Sequence, residues 1–236
     1  MSTEIRKMTP DICPVCGGGE IRYRSVLWKK LLDQWGLTPE EAIYVDRQQG
    51  VYCSACGCNL RTMTLAVAIM RSYVFAGTFR EFIGYPEVQA LNVLEVNEAG
   101  ELTRLLAGLS KRILGRYPEV DMTNLRYCDN SFDLVIHSDT LEHVPNPIRG
   151  LSECRRVLKP GGICAFTVPI VVGRLTRSRA GLPPSYHGNP SSPQEDYAVQ
   201  TEYGCDAWTH VMQAGFSECR IVSLEYPAAQ AMVCLV

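Results

Sequence analysis

Hydrophobic positions along the chain change their spacing near residue 75. Before that point they recur at helical intervals: VLWKKLLDQWGL and NLRTMTLAVAIMRSY each predict a helix, and Asn59 is placed to cap the second. Between them, TPEE predicts a helix start, with Thr38 as the cap and Glu41 completing a capping box. We therefore expect residues 1–75 to form a small N-terminal unit with short helices.

From about residue 90, short apolar runs alternate with amphipathic segments. Strands are predicted at ALNVLEV, FDLVIHS, GICAFTVPI, RIVSLEY and AMVCLV, and helices at ELTRLLAGL, IRGLSECRRVL and YGCDAWTHVMQAGF. Alternating strands and helices form mainly parallel sheets, and the last two strands, which no helix separates, predict an antiparallel edge hairpin. The pattern predicts an α/β domain over residues 76–236, with a lid loop rich in Pro, Ser and Gly at about 170–202.

Composition and charge narrow the class of protein. Of the 236 residues, 46% are apolar and 20% are charged, and the formal net charge is −2, so no strongly basic surface for nucleic acid is implied. The start, MSTEIRKMTP, lacks the apolar core of a signal peptide. The longest apolar stretch, near residues 63–70, is far shorter than the ~20 residues that span a membrane. We therefore expect a cytoplasmic protein with no membrane partner.

Cysteines supply the sharpest local motif. CPVCG and CSACG place Cys13, Cys16, Cys53 and Cys56 in two C-x-x-C pairs, each followed by a glycine that permits a tight turn. Four thiolates satisfy tetrahedral Zn²⁺ and leave no open position, so we predict a structural zinc ribbon. Cys58 is an alternative ligand, and two unlinked reduced pairs or a redox motif is the alternative to zinc.

The segment 121–169 contains FDLV, LEHV and RVLKPGG in that order, followed by a strand that ends in Pro. This series resembles the second half of the class I S-adenosylmethionine (SAM)-dependent methyltransferases, and the resemblance extends over about residues 90–236. It implies the Rossmann-like sheet of that family and SAM as cofactor. VLEVNEAG then occupies the place of the family's glycine-rich loop after the first strand.

The resemblance also implies which residues border the cofactor. The methionine and ribose parts are assigned to Glu95, Asn97, Ala99 and Gly100, the adenine to Asp121 and Met122, and the sulfonium end to Ser138 and Asp139. Asn97 and Ala99 stand where the family usually has glycine, which narrows the room for close backbone approach. The second strand and its helix are abbreviated, and Glu119 is the nearest candidate for the acid that holds the ribose.

Methyl transfer requires alignment of acceptor and methyl group, and a base where the acceptor loses a proton. Histidine suits the base role because its pKa lies near neutrality. His143 in LEHV and His187 in YHGNP are therefore candidate catalytic residues, with simple packing as the alternative for each. His137, within a predicted buried strand, is interpreted as a satisfied core residue, and His210 as structural.

Three arginines lie in the predicted lid. Arg174, Arg177 and Arg179 can bind carboxylate or phosphate groups through their planar guanidinium. Together with His187 they predict a small anionic acceptor, such as a phosphorylated or nucleotide-linked sugar or a carboxylated metabolite. A solvated charged loop is the alternative.

Two other functions remain open. A zinc ribbon before a SAM domain also resembles certain ribosomal-RNA guanine methyltransferases, in which the ribbon helps to recognise RNA. The residues available for such a basic surface are Arg22, Arg24, Lys29 and Lys30, with Tyr23 and Trp28. The other alternative is an inactive methyltransferase-like body that serves as a scaffold. The sequence does not predict the oligomeric state.

Overall fold

The computed structural model describes residues 10–186 and 197–236. The first elements are β1 (Ile21–Tyr23), α1 (Lys29–Trp35), α2 (Pro39–Gly50), β2 (Val51–Cys53), α3 (Leu60–Ser72), α4 (Phe79–Ile83) and α5 (Pro86–Gln89). The alternating part contains β3 (Val93–Val96), α6 (Leu102–Leu106), β4 (Arg112–Gly115), β5 (Phe132–Ser138), a 3₁₀ turn (Leu141–His143), α7 (Pro147–Val157) and β6 (Leu158–Thr167). The last elements are β7 (Ile170–Val171), β8 (Arg177–Ser178), β9 (Thr201–Gly204), α8 (Trp208–Gln213), β10 (Glu218–Glu225) and β11 (Ala229–Leu235).

The central sheet has six strands in the order β10-β11-β6-β5-β3-β4. Strands β4, β3, β5 and β6 run parallel to one another, whereas β11 is antiparallel to both β6 and β10. The predicted α/β class and the antiparallel edge hairpin are therefore confirmed. β4, which the hydrophobic pattern did not reveal, pairs with β3 through Leu94 and Ile113. It has four residues, and among the described residues no helix lies between β4 and β5, in agreement with the predicted abbreviation of the second strand and its helix.

Two predicted boundaries are wrong for a tertiary reason. Lys159–Gly162, predicted to end a helix, belongs to β6, because Leu158 already pairs with Phe132 of β5. Tyr203 and Gly204, predicted as the start of a helix, belong to β9, which pairs with β7. In both places pairing with a distant strand decides the conformation, and local propensity does not contain that information.

The N-terminal caps agree with the sequence. Thr38 N–H donates to Glu41 Oε2 (2.9 Å) and Glu41 N–H donates to Thr38 Oγ1 (3.2 Å), so the capping box of α2 is complete. Asn59 Oδ1 accepts from Thr62 N–H (2.9 Å) at the start of α3. Among the helices described, none is long and apolar enough to cross a membrane.

Helix α3 covers one face of the central sheet. Met63, Leu65 and Ile69 are fully buried in one hydrophobic cluster with Leu134 and Ile136 of β5. On the opposite face, α7 and α8 bury their apolar residues against Val135 and Phe166 in a second cluster. The helix that was assigned to the N-terminal unit thus forms a layer of the sheet domain, and the boundary at residue 75 stays a prediction.

The predicted lid contains short strands where residues 170–186 and 197–202 are described. β9 pairs with β7 in parallel and with β8 antiparallel, which makes a small three-stranded sheet, the lid sheet, and β1 pairs with β2 in a two-stranded antiparallel sheet. The side chains of Trp35 and Ser185 connect the lid sheet to α1 through a hydrogen bond of 3.0 Å from Nε1 to Oγ. His187 lies outside the described residues.

Candidate functional site

The candidate site lies where β3, β5 and β6 end. Parallel strands of an open α/β sheet place their carboxyl ends at one edge, and the loops that follow form a crevice there. Val96 of β3 lies opposite His137 of β5 in the sheet, and Ser138 of β5 lies opposite Thr167 of β6. The residues that follow these strands therefore meet at one edge of the sheet.

The loop after β3 keeps a glycine-like backbone despite its sequence. Asn97 has φ of 57° and Gly100 has φ of 58°, both in the left-handed region. Asn is among the non-glycine residues that best tolerate this region, so it can replace glycine here at small cost. Ala99 is fully buried in the cluster that contains α3, so its methyl group packs into the core.

Glu95, in β3, stabilises the loop that follows this strand. Its carboxylate is fully buried and accepts from Ala99 N–H (2.9 Å), Thr103 Oγ1 (2.5 Å) and Arg112 Nε (2.6 Å). These bonds satisfy a buried charge that would otherwise be costly. The contacts give Glu95 a role in shaping the loop, and its predicted contact with the cofactor stays a prediction.

Asn97 connects three loops at the crevice. Its Oδ1 accepts from Tyr117 N–H (3.0 Å) after β4, and its Nδ2 donates to Thr140 Oγ1 (3.4 Å) after β5. The side chain that replaces a glycine therefore ties together the loops from which a nucleotide cradle would be built.

The predicted adenine pair lies between β4 and β5. Asp121 is exposed, and its Oδ1 accepts from both Thr123 N–H and Thr123 Oγ1 at 2.8 Å. Met122 is buried, and a Cβ at Gly150 of α7 would lie 3.3 Å from it. An apolar side chain beside an accessible carboxylate is suited to an adenine ring with its amino group. Glu119 is exposed nearby, and its predicted contact with the ribose is untested.

The end of β5 carries a charged pair that the motif analysis missed. Asp139, with φ of 48°, forms a salt bridge to Arg61 from the first turn of α3. The side chains of Arg61 and Asp139 are 6% and 29% exposed. Arg61 Nε and Asp139 Oδ1 are buried without a hydrogen-bond partner among residues 10–186 and 197–236. The only sequence signal was one arginine in an otherwise apolar helix start.

These observations test whether SAM fits the site. The turn at Asn97 and Gly100 has the backbone of a cofactor loop, and Asp121 offers an accessible acceptor. Arg61 Nε and Asp139 Oδ1, which have no hydrogen-bond partner among the described residues, lie at the end of β5, where the charged end of SAM is expected. Ser138, which bonds to Thr167 Oγ1 at 2.8 Å, lies beside them. The residues present therefore fit the cofactor.

A small pocket of about 20 Å³ lies between α1 and the lid sheet. Trp35, Tyr203, Arg174 and Glu142 are among the residues that line it. Glu142 is three positions after Asp139, so the pocket and the charged pair share the segment that follows β5. A pocket of this size holds about one water molecule, so a small-molecule acceptor could enter only if the lid sheet and α1 move apart.

His143 lies at the end of the 3₁₀ turn after β5, beside Glu142. Its Nδ1 contacts the carbonyl of Ala198 (3.2 Å). Because a carbonyl only accepts, Nδ1 carries the proton, and Nε2 lies 3.8 Å from Glu142 Oε1. The contact with Ala198 therefore orients the ring, and its predicted catalytic role is untested.

His137 is buried as predicted but is not a satisfied core residue in the described part of the chain. Its ring stacks on Phe166 with a centroid distance of 4.6 Å, and both ring nitrogens lack a hydrogen-bond partner among residues 10–186 and 197–236. Burial lowers the pKa of His137 to about 3, although the nearby carboxylate of Glu142 acts to raise it. His210 contacts Tyr203 Oη (3.4 Å), and burial lowers its pKa as well.

The three lid arginines already bind groups of the chain. Arg174 pairs with Glu41 and donates to the carbonyls of Trp35 (2.7 Å) and Gly36 (2.6 Å). Arg177 and Arg179 both pair with Glu202. Their predicted role in binding an anionic acceptor therefore requires competition with these carboxylates, and it stays a prediction.

The four predicted zinc ligands meet in space. Cys13 Sγ lies 3.7 Å from Cys56 Sγ, Cys16 Sγ lies 3.6 Å from Cys53 Sγ, and all four sulfurs lie within 4.8 Å of one another. A zinc–sulfur bond of about 2.3 Å in a tetrahedron implies sulfur separations of about 3.8 Å. The cluster therefore has a size suited to zinc.

Each knuckle of the cluster has the same turn. Gly17 N–H donates to Cys13 O (2.8 Å) and Gly57 N–H donates to Cys53 O (2.9 Å), and both glycines have positive φ near 80°. Cys58 is buried and lies outside this set of four.

Two of the four basic residues of the predicted RNA surface pair with neighbouring acids. Arg22 pairs with Glu20, and Lys29 pairs with Asp33. Arg24 stacks on the ring of Tyr52, 5.1 Å from its centroid. The two ion pairs reduce the positive charge that this surface offers to an RNA backbone, and its predicted role stays a prediction.

Comparison with known proteins shows similarity over the site region. Residues 95–166 match the family of methyltransferase domains. The chain is 34% identical over 76 residues to an uncharacterized methyltransferase of Mycobacterium sp. (strain KMS), covering 32% of this chain and 30% of that protein. It is 37% identical over 113 residues to a demethylmenaquinone methyltransferase of Clavibacter sepedonicus, covering 47% of this chain and 39% of that protein. The chain thus spans less than half the length of these relatives.

Solved structures show distant likeness. A SAM-dependent methyltransferase from Thermotoga maritima, titled a possible histamine N-methyltransferase, has a TM-score of 0.42 and 14% identity, covering 74% of this chain and 89% of that chain. A SAM-dependent methyltransferase from Aquifex aeolicus has a TM-score of 0.38 and 14% identity, covering 61% and 81%. Residues 95–166 thus match the methyltransferase-domain family, and they contain three strands of the mainly parallel central sheet and the end of a fourth.

Proposed function

We propose that this protein is a SAM-dependent methyltransferase that acts on a small molecule. The observation that carries the proposal is the loop after β3, in which Asn97 and Gly100 keep the left-handed backbone within a region that matches methyltransferase domains. Bound SAM would supply a methyl group activated by the adjacent sulfonium. The chain's part is to bind the cofactor, align the acceptor and exclude water.

Different residues around the crevice would bind the cofactor and the acceptor. The loop at Asn97, with Asp121 and Met122, would hold the nucleoside, while Ser138 and Asp139 would face the sulfonium end. The pocket beside Glu142 would widen to receive the acceptor, because it adjoins the segment after β5 and is lined by Trp35 and Tyr203.

His143 is the proposed general base among the described residues. Its Nε2 is the nitrogen able to accept a proton, because Nδ1 donates to Ala198. His143→Gln should then lower kcat by ~10²–10⁴-fold with little change in cofactor affinity. An unchanged kcat would assign the histidine to packing and leave His187 as the remaining candidate.

A small anionic acceptor is the specific form of the proposal. Arg174 is on the pocket wall, and an anionic group there must displace Glu41 from its guanidinium. Glu41→Gln removes this competing charge, while glutamine can keep the capping box with Thr38. With methyl-labelled SAM and a panel of phosphorylated, carboxylated and neutral molecules, Glu41→Gln should lower the KM of anionic acceptors, and Arg174→Met should raise it. Neutral acceptors that outperform anionic ones would exclude the anionic class.

We also propose that Cys13, Cys16, Cys53 and Cys56 bind a structural zinc ion. Their sulfurs form a closed set without a position for substrate, so no chemical step is assigned to the metal. The supporting observation is the spacing of the four sulfurs, all within 4.8 Å of one another.

Calorimetry with S-adenosylhomocysteine tests the central proposal before any acceptor is known. Binding with a 1:1 ratio supports it, and ligand at 100 times its Kd should raise the free energy of unfolding by about 2.7 kcal/mol. The absence of both binding and thermal stabilisation would favour the scaffold. Salt-dependent binding of RNA would instead favour an RNA substrate.

A further inference from the structure

Four cysteines outside the two knuckles lie together on one face of the central sheet. Cys219 of β10 lies opposite Cys234 of β11, and Cys234 in turn lies opposite Cys164 of β6. Cys154 of α7 belongs to the same hydrophobic cluster as Cys164 and Cys234, and Cys219 packs against that cluster. The thiols of the knuckles belong to the cluster on the opposite face of the sheet. The sequence motifs did not indicate this second group of thiols.

The pairing of Cys219 with Cys234 has the geometry of a disulfide site. Directly opposite residues of antiparallel strands have Cα atoms about 4.5–5.5 Å apart, and their side chains lie on the same face. A disulfide usually joins Cα atoms about 4.4–6.8 Å apart. Both cysteines are free thiols in the structure. The register therefore allows a disulfide between them without a change of strand pairing.

Solvent reaches this group of thiols through Cys219. Cys219 is partly exposed, whereas the other three cysteines of the group are fully buried. β10 is the edge strand of the sheet, and the residues on either side of Cys219, Glu218 and Arg220, are exposed. A small oxidant in solution therefore meets Cys219 before it can reach the thiols behind it.

The facing thiol also favours reaction at Cys219. A hydrogen bond from Cys234 lowers the pKa of Cys219, although burial and the charge of Glu218 act to raise it. Burial raises the pKa of Cys234 well above its ordinary range, so this thiol keeps its proton. The thiolate is the form of cysteine that attacks an oxidant. Oxidation-sensitive cysteines commonly combine a lowered pKa and solvent access with a second cysteine beside them.

We propose that Cys219 and Cys234 form an oxidisable pair that a hydroperoxide converts to a disulfide. The Cys219 thiolate first attacks the peroxide: an S–O bond forms, the O–O bond breaks, and the departing oxygen takes up a proton. The Cys234 sulfur then attacks the sulfenic acid of Cys219, so that the S–S bond forms and the hydroxyl leaves with the thiol proton of Cys234 as water. The two electrons that the thiols lose reduce the peroxide. This inference does not depend on the proposed function.

Peptide mapping of the full chain tests the pair. Reduced protein is treated with a small molar excess of hydrogen peroxide, blocked with N-ethylmaleimide and digested with trypsin. Cleavage after Arg220 separates the two cysteines, so their disulfide would join peptides 180–220 and 221–236. Mass spectrometry of the wild type should detect this linked pair, lighter by two hydrogen atoms than the free peptides together, and dithiothreitol should remove it.

Two results in the wild type would overturn the proposal without any variant. In one, the peptides stay separate, and Cys219 is alkylated or oxidised to sulfinic acid. In the other, peptide 221–236 is joined to peptide 157–173, which carries Cys164. The four knuckle cysteines fall in other tryptic peptides, so their oxidation is measured separately.

Variants assign the steps to single thiols. Cys219→Ser should abolish the linked pair. Cys234→Ser should leave the sulfenic acid of Cys219 without its partner, so that dimedone labels Cys219 more strongly than in the wild type. Cys205→Ser is the matched control, because Cys205 is exposed and lies in the same tryptic peptide as Cys219. It should form the linked pair to the same extent as the wild type, and a loss of the link in this variant would overturn the assignment.

Discussion

The buried His137 should make the stability of this protein depend on pH. Burial lowers the pKa of His137 to about 3, whereas an unfolded histidine titrates near 6.5. Between these values the unfolded state binds a proton that the folded state does not. Above about pH 6.5 the histidine does not lower the free energy of unfolding. As the pH falls from 6.5 towards 3, its protonation in the unfolded state progressively lowers that free energy.

The size of the effect follows from the two pKa values. Between pH 7.5 and pH 5.5, protonation of the unfolded histidine should reduce the free energy of unfolding by about 1.4 kcal/mol. Glu142 is the charged neighbour that acts in the opposite sense, because its carboxylate favours the protonated ring. Its influence is already contained in the lowered pKa.

His137→Phe isolates this contribution. Phenylalanine has a similar shape and can keep the stacking on Phe166, which has an interplanar angle of 14°. Urea unfolding of both proteins at pH 7.5 and 5.5 should show that the wild type loses about 1.4 kcal/mol more than the variant over this interval. Other groups, including the cysteines, titrate in both proteins, so their contribution cancels in the comparison.

Equal pH dependence in the two proteins would refute the reasoning. That result would mean that the His137 ring is protonated or hydrogen-bonded in the folded state. A direct measurement of the ring pKa by NMR would then show a value near 6.5.

Three further predictions concern the loop, the metal and a helix start. Glu95→Ala should reduce the free energy of unfolding in urea by about 3–5 kcal/mol, because it leaves the Arg112 side chain, 11% exposed, without its buried carboxylate partner, and adding Arg112→Met should recover part of the loss. Cys53→Ser should lower bound zinc, measured by atomic absorption, from about one ion per chain, whereas Cys58→Ser should not. Thr38→Ala should cost about 1 kcal/mol by removing the cap of α2, and an unchanged urea midpoint would count against it.

Sequence motifs located much of the site without a structure. The two C-x-x-C pairs identified the four sulfurs that cluster, since a pair of knuckles already fixes two thiols each. The alternation of strands and helices predicted the sheet, because apolar periodicity reports which faces are buried. The cap residues Thr38 and Asn59 were also readable, because capping depends on neighbours within three positions.

Other features required the tertiary structure. No local sequence pattern indicates that Arg61 forms a salt bridge with Asp139, because folding alone brings these residues together. The same holds for the salt bridges of Glu41 and Glu202 with the three lid arginines. The backbone at Asn97 is likewise visible only in the folded loop, where its side chain contacts residues after two other strands. The sequence by itself determined most helices and strands of the central sheet domain, the helix caps and the cysteine knuckles, since these depend on neighbouring residues. β4 and the strands of the lid sheet depend on pairing with distant segments, and the sequence pattern did not reveal them. Which charges face the crevice was decided by packing between distant segments.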